Sequence, residues 1–264
     1  MVTPVDIHIH LVDNYYTDLS VYLKTYIKLS DSVFVSVPTD IVSSLANIDL
    51  AKEFPGKVFP FIGVHPQMAD YVDMDSFAFE LEKMKDYAFG IGEIGLDRKA
   101  GSDQILSDSQ KKVFTEQLSV AEKIGKPVAI HTRGTLKEIL EILTSYKLKN
   151  VLLHWFTCEN DELKQVSDSG YYTSFGPAII GSKRKMQIIK SLPKEYILVE
   201  TDGPVRFGGC FEGKTALPTF LYSVIFSLTN TLDMSYENVL ELLFSNSEQY
   251  LSIDLSRFNN VRLS

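Results

Sequence analysis

The chain has 264 residues, 45% apolar and 23% charged, with 15 Gly and 10 Pro, which excludes a disordered, collagen-like or coiled-coil protein and suffices for one large α/β domain or two modest ones. Its 26 basic and 34 acidic residues leave a formal charge of −8, which argues against sequence-independent coating of nucleic acid by a broad basic surface. Two cysteines, Cys158 and Cys210, are too few for a disulfide framework or a Cys-rich zinc site, and Met1 to His10 has neither a basic leader nor an apolar run, so a cytoplasmic protein without membrane spans is expected.

Short β-branched and aromatic runs alternate with segments of helical period from end to end. The predicted strands are 5–10, 32–38, 58–65, 89–97, 127–133, 150–156, 171–175 and 197–202. Predicted helices lie between them at 16–29, 41–53, 75–87, 109–124, 136–146, 161–167 and 185–190, with 219–229 and 235–251 closing the chain. Eight strand-helix units without a Pro/Ser-rich linker or charge block argue for a TIM (β/α)8 barrel in a single domain, residues 1–264. A doubly wound open sheet is the alternative. It calls for a Gly-rich phosphate turn after the first strand, where this chain reads His-Ile-His-Leu-Val-Asp.

All five histidines fall at the end of a predicted strand or just beyond: His8, His10, His65, His131 and His154. In a barrel, those ends are where catalytic groups from separate strands converge. His8 and His10 share a strand face about 6.6 Å apart, close enough to hold one cation, although an isolated His-x-His is often incidental. Within Gly92-Glu93-Ile94-Gly95-Leu96-Asp97, Glu93 and Asp97 face the same way, and a carboxylate there can bridge two metals or pair with a barrel cation. His131 and Arg133 aim an imidazole and a guanidinium inward together, which suits a cation beside a phosphate; an ion pair across the barrel mouth is the simpler reading of Arg133. His154 and Phe156 share a face, which turns Trp155 toward the helix layer and makes it a core residue rather than a substrate platform. Glu200 and Asp202 end the last strand, with Asp202 placed to touch a metal and accept a proton from water, or to cap the next segment.

The ordered set His8-x-His10, Gly63-Val64-His65-Pro66, Gly92-Glu93-Ile94-Gly95-Leu96-Asp97, His131-x-Arg133, His154-x-Phe156 and Glu200-Thr201-Asp202-x-Pro204 resembles the TatD family of metal-dependent deoxyribonucleases over about 200 residues, from the first strand to the eighth. The resemblance implies a two-cation TIM barrel that hydrolyses phosphodiester bonds of DNA, with His8, His10, Glu93, His131, His154 and Asp202 as ligands and His65 on the scissile phosphate. The chain departs from the family pattern at the rim, at Trp155, at Thr157-Cys158 and from Gly208 to Lys214.

On that reading two divalent ions (Mg, Mn or Zn) activate a shared water. Glu93 bridges them; His8, His10 and Asp202 hold one and His131 and His154 the other. Glu93 and Asp202 are thus the catalytic carboxylates, Asp202 taking the proton, while His65 and Arg133 bind substrate. Four positive charges against two carboxylates leave the pocket about two units positive, so an anion can enter an acidic protein. Single-stranded DNA or frayed ends are the expected substrate, attacked exonucleolytically with little base preference, and no obligate protein partner is implied. Phe156 and Phe207 are candidates to stack an unpaired terminal base, with plain core or rim roles as the alternative. A metallo-amidohydrolase acting on an amide, lactone or aminoacyl ester is the rival enzyme class, although phosphotriesterase-like relatives bridge with a modified lysine where this chain has Glu93. A vestigial scaffold would be expected to lack a ligand, and none is missing.

Overall fold

A computed structural model describes residues 2–13, 16, 20–98 and 106–258. Eight strands, β1 (Val5–Ile9), β2 (Val33–Ser36), β3 (Val58–Ile62), β4 (Gly90–Gly95), β5 (Val128–His131), β6 (Val151–Leu153), β7 (Tyr172–Phe175) and β8 (Ile197–Val199), pair in parallel in sequence order. The ring closes through backbone bonds at the far ends of β1 and β8: Asp202 N–H donates to His8 C=O at 3.0 Å, and His10 N–H to Gly203 C=O at 2.9 Å. The architecture is a TIM barrel, as the alternation of elements predicts.

The helices are α1 (Ser20–Leu29), α2 (Ile41–Glu53), α3 (Met74–Met84), α4 (Asp108–Ile124), α5 (Leu136–Leu143), α6 (Asn160–Asp168), α7 (Lys183–Ser191), α8 (Phe220–Leu232) and α9 (Tyr236–Leu251). Local chemistry sets their ends. Asp40 and Ser43 form a reciprocal capping box on α2, Ser107 accepts from Gln110 N–H at the start of α4, and Gly125 ends α4 in the left-handed region at φ 64°. The predicted start of the first helix at Tyr16 differs from the described helix, which begins at Ser20; residues 17–19 lie outside the described set. No helix among the described residues is long and apolar enough to cross a membrane.

The predicted strands overrun the observed ones, mostly at their C-terminal ends. Paired strand stops at Ile9, Ile62, Gly95, Leu153 and Val199, while the residues just beyond continue with single backbone bonds such as His154 N–H to Ile130 C=O at 3.1 Å. Apolar alternation carries past the point where the strands splay. A six-residue 3-10 turn, Pro66–Tyr71, has no counterpart among the predicted elements; the His65 ring accepts from Gln67 N–H at its start, and Pro66 supplies the fixed φ such a turn favours.

The principal core fills the space between the sheet and the helices, with Ile91, Ile94, Leu118, Ile130, Ile139, Val166 and Leu228 all fully shielded. At the barrel end opposite the histidines, Tyr250 of α9 packs with Phe61 and Tyr172, and its hydroxyl donates to Val128 C=O at 3.0 Å. One buried polar residue ties this scaffold to the site. Gln117 of α4 accepts from Val64 N–H at 2.7 Å and donates to Val64 C=O at 3.0 Å, fixing the chain just before His65. Replacing Gln117 with leucine leaves both groups buried and unpaired, so urea unfolding is expected to show a loss of about 1–3 kcal/mol for each group left unsatisfied. An unchanged midpoint would mean that water reaches Val64.

Candidate metal centre

Glu93 lies at the end of β4 with its side chain only 2% exposed, and four strands send imidazoles to it. Its two oxygens face different groups. Oε2 lies 3.4 Å from His8 Nε2 and 3.3 Å from His10 Nε2, both from β1 and the residue after it. Oε1 lies 2.7 Å from His131 Nδ1, 2.7 Å from His154 Nε2 and 3.4 Å from His65 Nε2. Asp202 Oδ1 joins the first group, 3.6 Å from His8 and 3.5 Å from His10. All six expected ligands and His65 therefore meet at one point, the mouth of a cavity of about 760 Å³.

The backbone is shaped for this meeting. Gly95 holds φ 140°, and a Cβ there would stand 2.2 Å from His131 C=O, so only glycine lets β4 and β5 approach where Glu93 meets His131. Asp202 is left-handed at φ 49°, a conformation aspartate tolerates better than most residues; its N–H is bonded to His8 C=O.

The donor set fits divalent cations. Ligand-capable atoms of His8, His10 and Glu93 lie within 4.8 Å of one another, as do those of Glu93, His131 and His154, and of His8, His154 and Asp202. His8 is fully buried, and neither ring nitrogen has a hydrogen-bond partner among the described residues. Burial and the His154 ring stacked on it at 3.9 Å lower the His8 pKa, against the pull of Glu93 and Asp202, which favours the neutral ring that a metal ligand requires. Burial lowers His65 in the same way. For Glu93, burial opposes ionisation, yet the surrounding imidazoles of His154, His65 and His8 outweigh it and hold the carboxyl well below the usual range. Burial likewise disfavours a charged His10, but Asp202 and Glu93 prevail and push it up to about 10. A buried carboxylate pair that draws protons onto its imidazole neighbours is a pair that a cation would neutralise instead.

Arg133 behaves as the simpler reading anticipates. Its Nε and Nη2 grip Asp97 at 2.8 and 2.7 Å, while half of its side chain remains exposed along the cavity. Asp97 also accepts from Gln67 Nε2 at 2.7 Å and lies 3.4 Å from His131 Nε2. Burial would raise the Asp97 pKa, but His131, Arg133 and Gln67 together depress it far below the ordinary carboxylate value. Two expectations are corrected. Phe156 is fully buried with its ring edge-on to Phe175, so it cannot stack a base. Trp155 does not turn to the helix layer: β6 has already ended at Leu153, and Trp155 takes φ 44°, which breaks the alternation and brings the indole to the cavity wall.

Three supporting carboxylates escape assignment from sequence. Asp97 orients His131, and Glu200, fully buried, lies 3.8 Å from His154 Nδ1 and accepts from Ser174 Oγ at 2.5 Å. Asp6 accepts from Thr201 N–H at 3.0 Å and Thr201 Oγ1 at 2.5 Å across the closing seam, and burial pushes its carboxyl up to about 8. Position two before a ligand is the available signal for Asp6 and Glu200, since alternate residues share the inward face. A carboxylate behind a ligating imidazole commonly contributes 10–100-fold to metal affinity. Calorimetric titration of Asp97→Ala with Zn²⁺ or Mn²⁺ is therefore expected to show binding weakened by about that factor, whereas wild-type affinity would mean that Asp97 serves Arg133 alone.

The family model for TatD-related DNase matches residues 5–252. The human protein named deoxyribonuclease TATDN3 is 30% identical over 213 residues, 76% of this chain and 77% of that protein. A Bacillus subtilis protein, YabD, described as an uncharacterized metal-dependent hydrolase, is 26% identical over 257 residues, 94% of this chain and 99% of its own length. Among solved structures, a TatD homologue from Escherichia coli superposes with a TM-score of 0.85 at 21% identity, covering 96% of this chain and 100% of that one. The family match runs from β1 past the end of α9 and takes in every residue around Glu93: the chain belongs to the TatD-related DNase family and is a metal-dependent hydrolase.

Proposed function

We propose that the protein hydrolyses phosphodiester bonds of DNA at a two-cation centre, releasing nucleotides from single-stranded ends. The observation that carries this reading is the division of labour at Glu93, one oxygen toward His8 and His10 and the other toward His131 and His154. On this reading His8, His10 and Asp202 would hold one cation and His131 and His154 the other, with Glu93 shared between the two groups. Bound divalent ions would lower the pKa of a water and neutralise developing charge on the phosphoryl oxygens.

The chain's own groups supply the rest. The Asp202 carboxylate lines the cavity, and its oxygen other than the Oδ1 turned to His8 and His10 takes the proton as the water oxygen attacks phosphorus and the bond to the leaving sugar oxygen breaks, the leaving oxygen being protonated from solvent. His65, whose Nε2 lies 3.4 Å from Glu93 Oε1, faces the same cavity and receives a phosphoryl oxygen there. Arg133, already oriented by Asp97, turns its remaining N–H groups to the phosphate, a fixed guanidinium losing less freedom on binding than a free one. With an overall charge of −8, duplex DNA gains little from the outer surface, and a paired strand would have to separate to reach a centre this buried. An unpaired end pays no such cost.

Asp202→Asn keeps a ligand oxygen but removes the proton acceptor, so kcat for nucleotide release from single-stranded DNA with added Mg²⁺ or Mn²⁺ is expected to fall about 10²–10⁴-fold. Glu93→Ala is expected to abolish it with the far-ultraviolet circular dichroism retained. Full activity in a chelator-treated preparation, or preferential turnover of a lactone or aryl ester over DNA in the same panel, would contradict the nuclease reading.

A further inference from the structure

Trp155 is the chain's one tryptophan, and its position calls for an explanation that the metal centre does not give. It follows His154 directly and holds φ 44°, a left-handed conformation in which glycine is at ease and a large side chain is strained. That conformation is secured from below. The backbone N–H of Trp155 donates to Glu200 Oε1 at 2.8 Å, and Glu200 is itself fully buried and held by Ser174. The indole is partly exposed and lines the cavity together with His154, Asp202 and Arg206. Phe207, which does not line the cavity, stands behind it with ring centroids 5.1 Å apart and planes at 43°. Phe207 is 7% exposed, and the bridge between Arg206 and Thr215 fixes the segment that carries it.

A strained backbone, anchored by a buried carboxylate and backed by a second aromatic ring, presents a rigid π-surface beside the reacting centre. Nothing in the ligand geometry requires that surface, and a smaller residue would satisfy the Glu200 bond through the same N–H. We propose that Trp155 is the specificity-determining platform on which the nucleobase next to the scissile phosphate stacks, with Phe207 holding the indole in place. This rests on the nuclease reading and adds to it a preference: stacking strength favours a purine at that position over a pyrimidine, and any base over none.

Two measurements test it. With tyrosine excluded by the excitation wavelength, wild-type fluorescence comes from Trp155 alone, so dAMP is expected to quench it saturably, dTMP less strongly, and 2-deoxyribose 5-phosphate hardly at all. In kinetics, wild type is expected to favour a single-stranded oligonucleotide with adenine at its end over one with an abasic end by about five- to a hundredfold in kcat/KM. In Trp155→Ala that ratio falls toward one, mainly through KM, and Trp155→Phe restores part of it. Absent quenching by dAMP, or an abasic discrimination that survives in Trp155→Ala, would overturn the proposal. Failure of wild type to cleave either oligonucleotide would instead count against the nuclease reading, and the fluorescence titration would still decide whether a base stacks on the indole.

Discussion

A carboxylate in a protein interior is costly unless charge or hydrogen bonds meet it, and Glu93 is 2% exposed with imidazoles around it from β1 and β5 and from the residues just beyond β1, β3 and β6. This requirement organises the rest of the barrel mouth. The imidazoles have to arrive from the ends of four different strands, which a closed parallel barrel brings together. The seam between the first and last strands coincides with the ligands: the bond from Asp202 N–H to His8 C=O both closes the ring and fixes two donors relative to each other. A change that loosens the seam therefore shifts His8 and Asp202 relative to each other.

Behind the ligands sits a second set of buried acids that hold them to their angles. Asp97 stands behind His131, Glu200 beside His154, and Asp6 beneath the seam through Thr201. Each is tied to a neighbour on another strand, so none can turn without disturbing the ladder. The cavity walls are built by the short segments that leave the strand ends, where alternation lapses and left-handed residues such as Trp155 and Asp202 set directions that no strand could supply. The strand ends therefore carry the clustered imidazoles and carboxylates, and the connections beyond them shape the cavity around that cluster. On the proposed reading, a protein of net charge −8 would admit DNA only at a mouth whose charge bound cations reverse, combining low non-specific affinity with local capture.

The barrel is legible in the sequence because apolar periodicity changes eight times between the short and long repeats, and those changes survive inaccuracies at element ends. Histidine placement makes the cluster around Glu93 legible: His8, His10, His65, His131 and His154 stand at or just beyond strand ends, and Glu93 and Asp202 lie at the same end of the barrel. The features that escape have a common cause. Extending β6 beyond Leu153 assigns faces to Trp155 and Phe156, and one left-handed residue reverses that assignment. Arg133 reads from sequence as a phosphate ligand with an ion pair as the alternative, and the Asp97 partner that realises the ion pair lies 36 residues away in sequence. The 3-10 turn after His65 gives too short a signal for periodicity to register.

The central claim is that Glu93 lies between two cations, each held by imidazoles on its own side. Anomalous diffraction from crystals grown with Mn²⁺ or Zn²⁺ tests it most directly. Two peaks flanking the Glu93 carboxylate, one beside His8, His10 and Asp202 and one beside His131 and His154, are expected. A single peak with Glu93 outside its coordination, or none in the barrel mouth, would contradict the account.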